Sequence, residues 1–220
     1  SYRMKEDTLF IHADTLISDQ DSTDQLKELH AFHGVRLYKN DIQGRCDSLA
    51  YKIDDEQIEF FYEPMVWTKK VELKGEEMIL FIKDSTIHKI AVDNKATAIS
   101  EVDSIGYYNQ IGGKKMDAFF KKEELVHAKV WGNAQTVYFP EETVDRDSVV
   151  EILRKGMSRV YASELKVYLD SGKVVGITYV DKPDAVFYPF RQLNKEEQYI
   201  QHFSWNPMLR PKSKLDLLKK

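Results

Sequence analysis

The amino-acid sequence predicts an all-β protein built from stacked repeats, in which antiparallel strands form two facing sheets. Three observations lead to this fold class. Apolar and polar residues alternate along short segments, one pattern of strands and turns recurs along the chain, and helical periodicity is scarce. Facing sheets of this kind form an elongated sandwich, a jelly roll or a V-shaped trough. One or two short helices are expected only toward the C-terminus.

Composition narrows the function classes. The 220 residues allow one or two domains with a sizeable core, and 42% hydrophobic with 31% charged residues is typical of an ordered globular chain. The aromatic share of 12% favours strands. A net charge of -4 argues against a nucleic-acid partner, because phosphate binding needs a basic face. The single cysteine, Cys46, excludes an internal disulfide.

The repeat consists of a polar step, a strand, a charged turn, a second strand, a short break and a third strand. The clearest copy runs from Asp41 to Trp67, and the next two begin near Gly75 and Gly113. Weaker copies cover residues 9–17 and 162–188. One such unit cannot bury its apolar face alone, so stacked units are expected to share one continuous core.

Alternation assigns residues to faces within each copy. Leu49, Tyr51 and Ile53 fall on one face of a strand, and the residues between them fall on the other. The inward residues are candidates to line a lipid groove: Leu49, Tyr51, Ile58, Phe60, Leu80, Ile82, Ile90, Val92, Phe120, Val126, Val130, Val137, Leu165 and Val167. Closed sheets would make these residues plain core. Splayed sheets would make them a groove for acyl chains, which gain roughly 0.8 kcal/mol per buried CH₂.

The C-terminal part carries the weak helical signals. Residues 145–156 fit either a short helix capped by Asp145 or Asp147, or a strand rich in valine and isoleucine. Residues 193–201 predict another short helix, capped by Asn194. We divide the chain into a repeat domain at 1–190 and a C-terminal cap or tail at 191–220, whose prolines cannot extend a ladder.

The ends of a stack of strands present unpaired backbone groups. The tail can cover the C-terminal end, but the sequence shows no matching cap at the N-terminal end. We therefore expect association through this edge, with another copy of the chain or with a partner protein.

Several short motifs recur along the chain. Ala13-Asp14-Thr15-Leu16 echoes Cys46-Asp47-Ser48-Leu49, the run from Ala31 to Tyr38 leads to the second of these steps, and residues 131–137 contain a Gly-Asn-Ala step. These motifs resemble those of the OstA-like family, the periplasmic lipopolysaccharide-transport proteins of the LptA type. The similarity covers most of residues 8–190.

The resemblance implies a twisted β-jellyroll of two antiparallel sheets that binds the lipid A part of lipopolysaccharide between them. It also implies a periplasmic location and end-to-end stacking with copies of itself or with other lipopolysaccharide-transport proteins. Neither a cofactor nor a metal is implied. The chain begins within the repeats and carries an unmatched tail, which suggests a piece of a longer member, either a soluble bridge or part of an outer-membrane assembly protein.

The residues that could support catalysis or metal binding do not form a recognisable site in the sequence. His30 and His33 fall on opposite faces of a strand, which disfavours a shared metal ion. Cys46 lacks a neighbouring histidine and is expected to be a buried, inert thiol. The chain contains no G-x-S-x-G, H-E-x-x-H, C-x-x-C or phosphate-loop motif. We therefore expect a protein that is not an enzyme.

Two other functions stay open at this stage. A structural scaffold would assemble through its sheet edges and bind no lipid. A glycan-binding or glycan-cleaving β-solenoid would use exposed aromatic platforms, for which Trp67 and Trp131 are the candidates. It would also need a pair of carboxylates in a cleft, and no such pair stands out in the sequence. If the ligand is a lipid, five basic residues near a groove mouth are candidates to pair with its phosphates: Arg45, Lys52, Lys74, Lys114 and Lys115.

Overall fold

The computed structural model describes residues 8–84, 86–102, 106–122, 124–146, 149–171 and 173–218, without the side chains of residues 145, 146 and 149–151. Strands hold 65% of the residues, which confirms the all-β prediction. The strands are β1 (Phe10–His12), β2 (Thr15–Gln20), β3 (Leu26–Tyr38), β4 (Gln43–Lys52), β5 (Gln57–Phe61), β6 (Met65–Trp67), β7 (Glu72–Lys74), β8 (Glu77–Lys83), β9 (Thr86–Glu101), β10 (Tyr108–Lys121), β11 (Glu124–Tyr138), β12 (Glu142–Arg146), β13 (Val149–Leu153), β14 (Gly156–Asp170), β15 (Lys173–Val180) and β16 (Asp184–Pro189).

The strands follow the predicted repeat. The described part of the chain contains five such units. Each unit consists of an outward path and an antiparallel return path of the chain, and the units are β1–β3, β4–β6, β7–β9, β10–β11 and β14–β16. All pairings are antiparallel and join neighbouring units into one continuous sheet. The short hairpin β12–β13 stands apart as a two-stranded sheet between units four and five.

Each path crosses between two layers, which we call layer A and layer B. Layer A contains residues 15–20, 26–32, 48–52, 57–61, 77–83, 86–93, 115–121, 124–131, 164–170 and 173–180. Layer B contains residues 10–12, 35–38, 43–46, 65–67, 72–74, 96–101, 108–113, 134–138, 156–162 and 184–189. The layers face each other, since a Cβ added to Gly44 of layer B would lie 3.0 Å from the Phe60 ring of layer A.

The corners between the layers repeat two local devices. Every path from A to B turns at two consecutive residues with positive φ: His33-Gly34, Tyr62-Glu63, Asn94-Lys95, Gly132-Asn133 and Asp181-Lys182. Every path from B to A turns at a small residue: Ala13, Cys46, Gly75, Gly113 and Ala162. Left-handed backbone interrupts the ladder and redirects the strand, as a β-bulge does. The register shifts at Phe32/Val35 and Trp131/Ala134 fall at these corners.

Units two and three close into a six-stranded barrel. The pairing runs β4–β5–β8–β9–β7–β6 and returns to β4. The largest core cluster fills this barrel and continues between the layers as far as Leu165 and Val167 of unit five. The protein is therefore a closed barrel with further strands added at both ends.

The tail after β16 runs back over the outer face of layer B. It contains 3₁₀ turns at Phe190–Gln192, Pro207–Leu209 and Lys214–Leu218, and no α-helix occurs among the described residues. Arg159 of unit five donates to the Tyr199 carbonyl at 2.9 Å, and Arg36 of unit one donates to the Leu217 carbonyl at 3.3 Å. The tail thus crosses the units in reverse order.

One cross-strand row of layer B receives the tail. Successive pairings place Gln43, Glu72, Gln110 and Arg159 in this row, each on the outward path of its unit. All four side chains are buried and hydrogen-bond to the tail. Ile200 packs between them in a second apolar cluster, on the side of layer B away from the main core.

The helices expected in the C-terminal part do not occur among the described residues. Of the two alternatives for residues 145–156, the strand is confirmed, because residues 142–146 and 149–153 pair as the β12–β13 hairpin; Asp147 and the Asp145 side chain lie outside the described residues. Residues 193–201 form turns, although Asn194 Oδ1 accepts the Glu197 N–H at 2.9 Å as a cap would. Their carbonyl groups bond to Arg159 and Gln110 of layer B instead of to the next helical turn.

Candidate functional site

A cleft of about 290 Å³ opens between the two layers beside the closed barrel. It lies between the layer A turns of units four and five and the layer B turns that follow units two to four. The chain passes from one layer to the other at the corners, whereas each hairpin turn connects two strands of the same layer. The turn side is therefore the side on which the layers can separate.

Both walls of the cleft carry apolar side chains. The layer A wall consists of Leu125, Val167, Leu169, Val174 and Ile177. The layer B wall includes Ala98 and Ile111. These side chains belong to the main core cluster or pack against it, so the cleft continues the core toward solvent.

The rim of the cleft carries charges of both signs: Lys69, Lys70, Lys173, Glu101, Glu124 and Glu141. Lys69 in the layer B turn and Glu124 in the layer A turn form an ion pair across the mouth, with Nζ and Oε1 3.7 Å apart. Their side chains are 56% and 47% exposed. An ion pair this exposed contributes only about 0–1 kcal/mol, so it does not lock the mouth.

A partly buried hydroxyl pair joins the two layers at the unit-five end of the cleft. Thr136 Oγ1 of layer B and the Tyr179 hydroxyl of layer A lie 3.0 Å apart, and Thr136 lines the cleft. Burial raises the pKa of Tyr179 above its usual value. Tyr138, which also lines the cleft, has its pKa raised by burial and by Glu141. Both phenols are neutral hydrogen-bonding groups at physiological pH.

Most of the predicted groove residues lie between the layers but pack against each other instead of lining open space. The buried ones are Leu49, Ile58, Phe60, Leu80, Ile90, Val92, Phe120, Val130, Leu165 and Val167. Tyr51 and Ile82 pack against this cluster at its partly buried margin. Of the predicted set, Val137 and Val167 border the cleft, but only the Val167 side chain belongs to the core between the layers, since Val137 packs under the tail. The cleft lies beside the closed barrel, at the layer A turns of units four and five.

Val126 does not take the inward position that alternation predicts. Phe119 pairs with His127 and Phe120 pairs with Leu125, which leaves Val126 as the extra residue of a β-bulge. Leu125 takes the inward place and lines the cleft.

The Val137 side chain lies on the opposite side of layer B from the prediction. It packs with Met157 and Ile200 in the cluster under the tail. Its neighbour Thr136 supplies the inward side chain. Valine suits the outer face here because the tail removes that face from water, which alternation alone cannot reveal.

The basic residues predicted at a groove mouth lie elsewhere. Lys52 pairs with Glu59 at 2.7 Å, and Lys115 pairs with Asp93 at 2.6 Å. Neither these residues nor the other three candidates, Arg45, Lys74 and Lys114, line the cleft. The lysines at the rim lie in or next to turns. Apolar and polar residues do not alternate there, so the sequence does not predict which way these side chains point.

The two tryptophans proposed as glycan platforms are not equally exposed. Trp67 is fully buried under the tail, and its Nε1 donates to Glu72 Oε2 at 2.8 Å. This position contradicts a platform role for Trp67. Trp131 is half-buried, with Lys129 Nζ 5.2 Å from its ring centroid.

His30 and Cys46 are the residues for which the sequence suggests a possible metal or nucleophile role. His30 lies beside carboxylates, and Cys46 is buried. His30 does not meet His33, and its Nε2 lies 3.1 Å from Glu28 Oε2 and 3.6 Å from Asp19 Oδ2. These three residues form a surface cluster that can pair a protonated imidazole with carboxylates. Cys46 is buried at its corner, and desolvation raises its pKa to about 12, which confirms the expected buried thiol.

Among the described residues, no helix has the length and apolar character needed to span a bilayer. Comparison of the sequence with protein-family models and with curated proteins gave no match.

Proposed function

We propose that this protein is a non-catalytic carrier that holds the acyl chains of an amphiphile in the cleft between its layers. The expected ligand is lipopolysaccharide, bound through lipid A, and the expected location is the periplasm, associated with transport toward the outer membrane. The observation that carries the proposal is a cleft with apolar side chains on both walls, a charged rim and a weakly closed mouth.

The walls suit hydrocarbon chains. Each methylene that leaves water gains roughly 0.8 kcal/mol, so a few buried methylenes outweigh the exposed ion pair at the mouth. The cleft of about 290 Å³ is at the lower end of ligand sites, which span roughly 300–1,000 Å³. A full lipid therefore requires the turns carrying Lys69 and Glu124 to separate.

The rim suits a polar head group. Lys69, Lys70 and Lys173 can pair with phosphates while the acyl chains lie between the layers. The resemblance to OstA-like proteins adds lipid A as the ligand, and the two-layer path with open turn edges fits the family's twisted jellyroll trough.

Native mass spectrometry with purified lipid A tests the carrier function. Val174 lines the cleft, whereas the adjacent Val175 is 66% exposed, so the two positions form a matched pair on β15. We expect a one-to-one adduct with the wild-type chain and with Val175→Trp, and at least a tenfold weaker adduct with Val174→Trp. Absence of a wild-type adduct, or equal binding by both variants, would overturn the proposal.

A structural scaffold is the second candidate, favoured by the sheet ends. In the described structure β2 pairs only with β3, and β16 pairs only with β14. Both edge strands expose apolar side chains, Leu16 and Ile17 on β2 and Val186 and Phe187 on β16. Such edges pair readily with other strands.

Sedimentation velocity separates the scaffold from the carrier. The scaffold would be favoured by oligomers whose size increases with protein concentration and decreases in the Ile17→Lys or Val186→Lys variant, together with the absence of a lipid A adduct. Monomers that bind lipid A would rule out assembly as the primary role.

A further inference from the structure

A second cavity, of about 320 Å³, lies on the outer face of layer B where the tail crosses units one and two. It is separate from the cleft between the layers. Its lining contains four cationic side chains, two from strands and two from the tail: Arg36, Arg45, Arg210 and Lys212. A protein with a net charge of -4 has no general excess of positive charge that would account for this concentration.

The two strand arginines are directly opposite each other. Arg36 of β3 and Arg45 of β4 are cross-strand partners in an antiparallel ladder, so both point to the same face, with Cβ atoms about 4.5–5.5 Å apart. Like charges at this separation destabilise a sheet. An anion bound between them turns that repulsion into two attractive contacts.

The tail completes the ring of positive charge. Arg210 is fixed by its Nε, which donates to Gln43 Oε1 at 2.7 Å, and desolvation lowers its pKa from the usual value. Lys212 lies two residues further along the tail. Within the described part of the chain, none of the four cations forms an ion pair with a carboxylate. The one carboxylate in the lining, Asp216, accepts the Lys212 backbone N–H at 2.9 Å.

We propose that Arg36, Arg45, Arg210 and Lys212 form a binding site for a phosphate group, free or carried by a phosphorylated small molecule or lipid head group. Guanidinium groups suit phosphate because their planar N–H donors match its oxygens two at a time. The cavity is large enough for a phosphate and a small attached group. Because half of the site belongs to the tail, bound phosphate also holds the tail against units one and two.

Inorganic phosphate is the first probe, with binding measured by calorimetry and by the thermal midpoint of unfolding. Arg45→Gln removes one of the opposed arginines, and Lys212→Gln removes an exposed tail cation without touching the core. The matched control is Lys121→Gln, which removes one charge from an exposed position at the end of β10. We expect at least a tenfold loss of phosphate affinity in the first two variants and no change in the control.

The phosphate-free state gives an independent readout. Without phosphate, Arg45→Gln should melt at or above the wild-type temperature because a like-charge pair is gone, whereas phosphate should stabilise the wild type alone. Lower intrinsic stability of Arg45→Gln, with unchanged phosphate affinity, would overturn the proposal. No phosphate binding by the wild type, or equal weakening in Lys121→Gln, would overturn it as well.

Vesicles distinguish the two sources of phosphate. Phosphatidylcholine vesicles with and without phosphatidic acid present the same phosphate as a lipid head group. Capture by the phosphatidic acid vesicles that is lost in Arg45→Gln and displaced by inorganic phosphate assigns a lipid ligand. Binding of inorganic phosphate without capture assigns a soluble one. Lipid A adducts in the cleft are unaffected by Arg45→Gln if the two sites are independent, so failure of either proposal is seen separately.

Discussion

The Glu72 carboxylate accepts two hydrogen bonds from Asn206, one from its backbone N–H at 2.9 Å and one from its side-chain Nδ2 at 3.2 Å. Glu72 is fully buried on β7 and also accepts the indole N–H of Trp67. It is therefore the central attachment of the tail. We predict that Glu72→Ala destabilises the fold by roughly 2–5 kcal/mol, because it leaves buried donors without acceptors.

Urea unfolding followed by tryptophan fluorescence measures this loss, since Trp67 reports directly on the contact. Asn206→Ala is the comparison, because it removes one side-chain donor and keeps the backbone bond, at a cost of about 1 kcal/mol. A larger loss for Asn206→Ala than for Glu72→Ala would show that the carboxylate is not the main attachment.

The ion pair at the cleft mouth should control ligand entry more than stability. Lys69→Glu places two carboxylates across the mouth, so we predict faster lipid uptake and a change in unfolding free energy of no more than about 1 kcal/mol. Stopped-flow fluorescence with an uncharged fluorescent acylglycerol measures the uptake rate, because this probe is neither attracted nor repelled by the rim charge. The double variant Lys69→Glu/Glu124→Lys should restore the wild-type rate. An unchanged rate in the single variant would show that the mouth opens elsewhere.

A side chain at Gly132 should destabilise the corner. The φ of Gly132 is +79°, and an added Cβ would lie 2.7 Å from Lys114 Cβ. Gly132→Ala should therefore cost about 1–3 kcal/mol in chemical denaturation. Asn133→Gly is the control at the second corner position, where glycine adopts the same φ freely, and it should change stability by no more than about 1 kcal/mol. Equal losses in both variants would contradict the corner geometry.

The Cys46 thiol gives a prediction about pH. Burial raises its pKa from 9.0 to about 12, so the folded protein keeps a proton that the unfolded chain releases. The contribution of this thiol to the free energy of unfolding is fully present below pH 9 and is lost as the pH rises toward 12. Iodoacetamide should label the urea-unfolded chain at pH 9 and leave the folded chain unlabelled. Cys46→Ala should flatten the alkaline loss of stability. Rapid labelling of the folded chain would show that the corner opens.

The repeat was predictable because each corner leaves a trace in the sequence. A small residue followed by a polar one marks the steps at Ala13-Asp14 and Cys46-Asp47, and the structure places both at corners from layer B to layer A. The breaks at the other corners were also predicted, but not their left-handed backbone, since Tyr62-Glu63 and Asp181-Lys182 do not contain the glycine that usually marks positive φ.

The cleft was only partly predictable. Alternation finds the inward face within a regular strand, and it fails where a bulge adds one residue, as at Val126. Which inward residues meet open space depends on where the barrel closes, and that closure comes from pairing of β6 with β4 and of β7 with β9. Such short strands carry too few residues to reveal their partners.

The covered face of layer B was not predictable from the repeats. Buried polar residues such as Gln110 look like ordinary surface positions in the sequence. Gln110 is satisfied by Gln198 and Ile200, 88 and 90 residues later in the chain. Only the three-dimensional path of the tail shows why a polar side chain is buried there.

The path of the tail also changes how the molecule should unfold. In a simple stack, each repeat touches only its neighbours, so end repeats can fray while the others stay folded. Here one segment touches every unit from the fifth to the first, and loss of any unit releases part of it. The chain should therefore unfold in a single cooperative transition. Folding should be slow, since the segment has its full set of contacts only after all five units have formed.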